Sequence, residues 1–263
     1  MDEGIARIFH SRQLDGLQNQ LIGKKVYKYD RVSSTNDLAF MYAFKGEKEG
    51  SVFWARAQTK GRGRQGRHWI SPKDKGLYFS IILRPDISVK EAAKITLLSA
   101  LAICKALRKF SGVESLIKWP NDIVINNRKI CGILTEMDTQ IGRVKFIIVG
   151  IGVNTNSAPG ELPVKEATSL RVLLGKEVSQ ENLLSLCLKE IDKYYYQFKK
   201  GGISGVIDEA RHFSSLWGKQ IKINNRDEGV AIDFAEDGSL VVRQDSGLQK
   251  HIFAGRVELL REK

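Results

Sequence analysis

Cysteine is scarce in this 263-residue chain: only Cys104, Cys131 and Cys187 are present. They are odd in number and widely spaced, with no CxxC pair or Cys/His cluster, which argues against a disulfide framework and a structural zinc site. Each sits in apolar sequence and is expected to pack as a small hydrophobe. Histidine is equally rare. His10, His68, His212 and His251 show no Ser/His/Asp arrangement, and each reads as a surface or structural residue rather than a catalytic base. A membrane span is missing too, because the longest apolar stretch, Leu97 to Leu107, is broken by Ser99 and Lys105 and is too short. The first residues, MDEGIARIFHSRQLDG, lack the charged-then-apolar order of a signal peptide, so a cytoplasmic protein with no membrane partner is expected. There are no internal repeats or low-complexity linkers.

Acidic residues are the minority charge. Lys and Arg number 42 against 30 Asp and Glu, a formal net charge of +12 that favours anionic partners: nucleic acid, nucleotide phosphates or an acidic protein surface. With 42% hydrophobic residues the chain can bury a sizeable core, and its composition is that of a folded globular protein.

Strand signals begin at Val26–Tyr29 and recur at Val52–Ala57, Leu77–Leu83, a segment ending at Trp119, a hairpin turning at Asn126-Asn127-Arg128 with its return over Lys129–Glu136, and Val144–Val149. Helical patterns cover Leu38–Phe44, Lys90–Phe110, Glu181–Phe198 and Ile203–Trp217. Lys90–Phe110 is long, free of Gly and Pro and apolar around much of its circumference, which predicts a buried central helix. From Gly218 short strands crowd together between NNRDEG, EDGS and DSG turns, predicting a small β-barrel that leans on the main domain. The expected organisation is α/β (α+β): an N-terminal extension over 1–25, a mixed-sheet domain with packed helices over 26–217, and the small barrel over 218–263.

Four constellations carry candidate chemistry. In Gly61-Arg62-Gly63-Arg64-Gln65-Gly66-Arg67-His68-Trp69 the glycines let backbone N–H groups approach an anion, and the arginines add forked donors suited to phosphate or carboxylate. Neither a Walker loop nor a dinucleotide fingerprint is present; a solvated basic turn or an RGG-like nucleic-acid contact has the same composition. In Lys118-Trp119-Pro120-Asn121-Asp122 a lysine at a strand end is a fixed point charge for a transferring group, and Asn121 and Asp122 offer oxygens to hydrated Mg²⁺. A tight turn punctuated by Pro-Asn-Asp reads the same way. Ser34-Thr35-Asn36 supplies donors and acceptors suited to a ureido ring, while Ser34 followed by Asp37 is also a helix-capping pattern. Finally, Gly132 inside the apolar strand Lys129–Glu136 suggests close passage of a ligand or backbone, and Asn154, after Gly150-Ile151-Gly152, is a strand-end amide within reach of a nucleotide.

Taken in order, STN at 34–36, QxxGRGRxGRxW at 58–69, LYxS at 77–80, KWPND at 118–122, KxxGIxxE at 129–136 and GxGxN at 150–154 resemble the biotin–protein ligase family over about residues 26–260. The resemblance implies a mixed sheet with helices on one side, a C-terminal SH3-like domain, and a two-step reaction in which biotin and Mg·ATP give biotinyl-5′-AMP, from which a lysine of a biotin carboxyl carrier domain takes the biotinyl group. By position it assigns Ser34, Thr35, Asn36, Gln58, Arg62, Gly63, Arg64, Lys118 and Gly132 to biotin. It assigns Gly61, Arg62, Arg64, Arg67, Trp69, Lys118, Asn121, Lys129 and Asn154 to ATP or the adenylate, with Lys118 and Arg64 closest to the chemistry and Asn121 and Asp122 as metal candidates. A lipoate or octanoate ligase of the same superfamily and a biotin-responsive nucleic-acid-binding repressor are the alternatives. Two departures bear on this. Only about 25 residues precede the first core strand, so a ligase without the winged helix, and without specific DNA binding, is expected; a homodimer is within the family's range. The family often has an acidic residue after Ala-Gly or Gly-Gly near the C-terminus, whereas this chain has Ala254-Gly255-Arg256, with Glu258 two residues on.

Overall fold

A computed structural model describes residues 7–10, 21–162 and 164–260. Its strands are β1 (Arg7–His10), β2 (Lys25–Tyr29), β3 (Val52–Ala55), β4 (Gly76–Leu83), β5 (Leu116–Lys118), β6 (Asp122–Ile125), β7 (Arg128–Gln140), β8 (Arg143–Asn154), β9 (Gln220–Ile223), β10 (Asp227–Phe234), β11 (Leu240–Arg243), β12 (Gln249–Ile252) and β13 (Val257–Leu259). The helices are α1 (Thr35–Phe44), α2 (Ala92–Ser111), α3 (Leu170–Leu174), α4 (Gln180–Gly201) and α5 (Ser204–Arg211).

β1 to β8 form one sheet in the order β1-β2-β3-β4-β8-β7-β6-β5, mixed because β2 and β3 run parallel while the other neighbours are antiparallel. Strand alternation sorts its residues onto two faces. On one, Trp54, Phe79, Ile81, Ile117, Ile123, Cys131, Ile133, Val149, Ile151 and Val153 join the core under α2, α4 and α5. On the other, Phe53, Ala55, Ile82, Phe146 and Ile148 pack against Leu38, Ala39 and Ala43 of α1. The helices therefore do not all lie on one side, as the resemblance implied; α1 takes the opposite face because its own apolar residues match the alternate register. All three cysteines are buried and free, as expected.

Several boundaries differ from the sequence expectation. The hairpin turns at Asn126 and Asn127, both at positive φ (50° and 59°), the geometry of a two-residue primed turn. Its outgoing strand, however, runs to Gln140, and β8 runs past Val149 to Asn154, paired with both β4 and β7, with Gly150 and Gly152 at points where a Cβ would meet Asn36 and Trp69. The last predicted helix stops at Arg211: Ile117 donates to the Phe213 carbonyl (2.6 Å) and Ser215 donates to the Ile117 carbonyl (2.9 Å), so this segment instead covers the open edge of β5. The expected N-terminal extension falls mostly on residues outside those described, but Arg7–His10 pairs with β2 as an edge strand, where backbone bonding suffices without an apolar pattern.

The expected barrel is a five-stranded antiparallel sheet, ordered β12-β11-β10-β9-β13, whose fifth strand, Val257–Leu259, was not anticipated. It does lean on the first sheet: Trp217 meets Phe234 edge-on at 4.6 Å, and Ile221, Ile223, Phe234 and Leu240 belong to the same core as α2. Trp119 donates its indole N–H to Gly238 in the β10–β11 turn (3.2 Å), tying the KWPND turn to this sheet.

Candidate functional site

One row of residues crosses the first sheet on the α1 face. Lys118 pairs with Asp122, Asp122 with Gly132, Gly132 with Gly152, and Gly152 with Tyr78. The next row on the same face joins Leu134, Gly150 and Ser80. Above these rows lies a cleft of about 840 Å³, lined among others by Ser34, Thr35, Asn36, Gln58, Arg62, Gly63, Arg64, Arg67, Trp69, Lys118, Asn121, Asp122, Lys129, Gly132 and Asn154. Of the candidate residues, Gly61 alone falls outside this lining. It lies at the base of the loop, where a Cβ would meet the Trp69 carbonyl oxygen at 2.4 Å, so close packing alone requires glycine there.

The loop is a closed hairpin: Trp69 donates to the Gly61 carbonyl (2.9 Å) and Gly63 to that of Arg67 (2.7 Å), while Gln65 and Gly66 at its tip adopt positive φ. This folds the Trp69 indole onto the glycine pair. An added Cβ would meet Trp69 at 3.0 Å from Gly132 and at 2.5 Å from Gly152. Lys129 approaches the same ring (5.3 Å to its centroid), sits over Gly132, and is ion-paired with Asp122 (2.6 Å). The buried Trp69 Nε1 has no hydrogen-bond partner.

At the floor, Ser34 occupies the N-cap position of α1, but its side chain accepts no capping bond; Asp37 pairs with Arg62 instead of completing a capping box. The expected cap is thus not formed, and the Ser34 hydroxyl borders the cleft. Gln58 Oε1 accepts from the Thr35 backbone N–H (2.9 Å) and from its hydroxyl (3.1 Å), and Gln58 Nε2 donates to Ser71 (2.9 Å). Asn36 lines the cleft with its amide hydrogen-bonded inside the protein: Nδ2 donates to Glu136 (2.6 Å), and Oδ1 lies 2.6 Å from Ser80 Oγ. Its amide is occupied within the protein because α1 docks directly over Gly150, where a Cβ would collide with it.

The other end of the cleft is cationic. Arg64 donates to Asn121 Oδ1 (3.0 Å), and Asn121 Nδ2 donates to the Ile133 carbonyl (2.9 Å). Among the described residues no carboxylate lies within ion-pair distance of Lys118, Arg64 or Arg67, although the chain contains many such pairs. Burial lowers the pKa of Lys118; Asp122 opposes this, and Lys129 and Arg256 reinforce it. Burial also lowers the pKa of Arg64, against the pull of Asp122. Burial disfavours charge on Arg62 too, but Asp37 and Glu136 outweigh it and raise its pKa. Lys118 and Arg64, half-removed from water and without an ion-paired carboxylate, are suited to a ligand that brings negative charge. Asn154 lines the cleft with its amide already donating to the Thr168 carbonyl (3.0 Å). His68 is exposed at the rim.

The sequence motifs contained Ser80, Glu136, Arg256 and Glu258 without giving them a site role; the structure hydrogen-bonds Ser80 and Glu136 to Asn36 and brings Arg256, ion-paired with Glu258 (2.9 Å), to the cleft from the second sheet. Only the strand register gives what Ser80 and Glu136 touch, since both sit in otherwise ordinary strands.

Comparison with known proteins agrees with this geometry. Residues 29–154 match the model of the biotin/lipoate A/B protein ligase family. The chain is 33% identical over 250 residues to the bifunctional ligase/repressor BirA of Bacillus subtilis, covering 93% of this chain and 77% of that protein. The chain belongs to the biotin/lipoate A/B protein ligase family. Another relative within this ligase family, the biotin–[acetyl-CoA-carboxylase] ligase of Mycobacterium tuberculosis, is 29% identical, with 85% of this chain and 87% of that protein covered. The biotin protein ligase of Aquifex aeolicus, solved in complex with biotin and ATP, superposes with a TM-score of 0.78 at 28% identity, covering 90% of this chain and 99% of that one.

Proposed function

We propose that this protein is a biotin–protein ligase that activates biotin with ATP and transfers it to a lysine of a biotin carboxyl carrier domain. The observation that carries the reading is the division of one cleft into a neutral, hydrogen-bonding floor at Ser34, Thr35 and Gln58 and an end where Lys118, Arg64 and Arg67 have no ion-paired carboxylate. A ureido ring suits the floor, where the Ser34 hydroxyl is available and Thr35 and Gln58 are held in place. A carboxylate and a triphosphate suit the cationic end.

In the first step a biotin carboxylate oxygen bonds to the α-phosphorus of ATP, and the bond from that phosphorus to the bridging oxygen of pyrophosphate breaks. Two anions must approach each other, so Lys118, which shares the sheet row with Gly132 and Gly152, offsets their repulsion and the developing charge. Arg64 and Arg67 close over the phosphates from the loop, with Gly63 giving the backbone close access. Trp69 presents an indole face to the nucleotide, and Lys129 and Asn154 border it. In the second step the neutral ε-amine of the acceptor lysine attacks the biotinyl carbonyl carbon, AMP departs with the C–O bonding pair, and the amine loses a proton. No protein nucleophile is required.

Mg²⁺ fits this site only as a companion of the triphosphate. The Asn121 amide is engaged by Arg64 and Ile133, Asp122 is paired with Lys129, and no cluster of three His, Cys, Asp or Glu side chains stands ready among the described residues. When bound it would neutralise phosphate charge, with Asp122 the candidate protein ligand.

Mass spectrometry of a carrier domain incubated with the protein, Mg·ATP and either biotin or lipoate tests the reading. A biotinyl adduct on the carrier lysine is expected, with lipoate a poor competitor. No adduct with biotin, or preferential lipoyl transfer, would overturn it.

A further inference from the structure

The two feet of the Arg-rich loop are joined by a continuous chain of polar contacts beneath the cleft. Arg62 donates to both oxygens of Glu136 (2.8 and 2.9 Å), and Glu136 Oε2 accepts from Asn36 Nδ2 (2.6 Å). Asn36 Oδ1 lies 2.6 Å from Ser80 Oγ, which is 2.7 Å from Thr35 Oγ1. Thr35 binds Gln58, Gln58 binds Ser71, and Ser71 donates to the Trp69 carbonyl (3.0 Å). Arg62 is the start of the loop and Trp69 its end.

We propose that Glu136 is a positioning residue that holds Arg62 at the floor side of the cleft and fixes the orientation of Asn36 under that floor. This rests on the ligase reading for the identity of the ligand. Glu136 stands on the cleft face of β7, in the same alternation as Gly132 and Leu134. An ionised carboxylate only accepts hydrogen bonds, so it admits Asn36 with the amide nitrogen towards it and leaves Oδ1 for Ser80. Ser80, Thr35 and Asn36 are all buried, so a flipped amide would leave polar groups without partners. The same carboxylate, together with Asp37, neutralises Arg62 and holds its guanidinium on the floor side of the loop, whereas Arg64 and Arg67 have no such anion. The two kinds of arginine therefore do different work: Arg62 is a fixed strut beside the ring, and the others answer to the phosphates.

The test compares Glu136→Gln and Glu136→Ala, alone and combined with Arg62→Ala, by steady-state biotin-dependent pyrophosphate release, with thermal melting of each variant. Glu136→Gln can keep an oxygen towards Asn36 but cannot hold Arg62. It is expected to raise the KM for biotin roughly tenfold, as for loss of one charge-assisted bond, with kcat within about threefold. The double variant Arg62→Ala/Glu136→Gln should be no worse than Arg62→Ala within about twofold, because Glu136 acts through Arg62. An unchanged KM in Glu136→Gln, or additive losses in the double variant, would overturn the proposal. Glu136→Ala also disturbs Asn36 and should melt earlier; should it fail to fold, Glu136→Gln decides. A wild-type protein inactive with biotin and ATP overturns the ligase reading, whereas an active wild type with a normal Glu136→Gln variant overturns only the role of Glu136.

Discussion

The floor of the cleft and its cationic end are built by opposite means. At the floor, Thr35, Asn36, Gln58, Ser71 and Ser80 bind one another, and the Gly150 backbone is pressed against Asn36. At the other end, Lys118, Arg64 and Arg67 converge with few partners, and what holds them is the backbone: a strand end, a turn anchored by Trp119, and a hairpin loop. A preorganised neutral site binds by shape and directed hydrogen bonds, whereas a cluster of underneutralised cations gains most when negative charge arrives. One cleft thus carries two recognition modes, and each can be damaged without the other.

Lys118→Ala should have the largest effect. Adenylation should fall roughly 100- to 1,000-fold, the range for removing one aimed donor, while calorimetry should find biotin binding without ATP changed far less. Gly150→Ala should do the reverse. Its Cβ would stand 2.0 Å from Asn36 Oδ1, so α1 must shift, with about 1–3 kcal/mol of lost stability in denaturant melts and weakened biotin binding. Arg64→Gly should release biotinyl-AMP roughly tenfold faster in a filter-retention assay, since the loop loses the donor held at Asn121. Raising salt from low to about 0.5 M should increase the KM for ATP and leave biotin affinity nearly constant, because screening acts on charges and not on the neutral floor. The smallest effect concerns Glu47, far from the phosphate end, at the C-terminal side of α1. Burial acts against its charge, but hydrogen bonds from Tyr27, Lys25, Lys48 and Ser51 hold its pKa at about 2. A lowered folded-state pKa means stability that is present above about 4.5 and lost as pH falls from there towards 2, visible as a falling melting temperature in acid.

Much of this was legible in the sequence. The Asn126-Asn127 turn, the buried helix α2 and the cluster GRGRQGRHW with KWPND all follow from local rules, because backbone conformation and charge are properties of a short segment. What stayed hidden depends on register. Whether Glu136 faces the cleft or the core turns on its pairing with Ile148, and the partner of Asn36 turns on where α1 meets Ser80. Asn36 illustrates this: its chemistry suits a ligand, and only the packing of α1 shows which protein groups hold both ends of its amide. Arg256 shows the converse, since a residue more than a hundred positions from KWPND enters the cleft only because the second sheet docks on Trp119.

The most direct measurement is pyrophosphate release by the purified protein with Mg·ATP and biotin but no acceptor. The two-part cleft predicts a biotin-dependent burst of about one pyrophosphate per site, with the adenylate retained beneath the loop, and no burst in Lys118→Ala. Release that is independent of biotin, or a normal burst in Lys118→Ala, would contradict it.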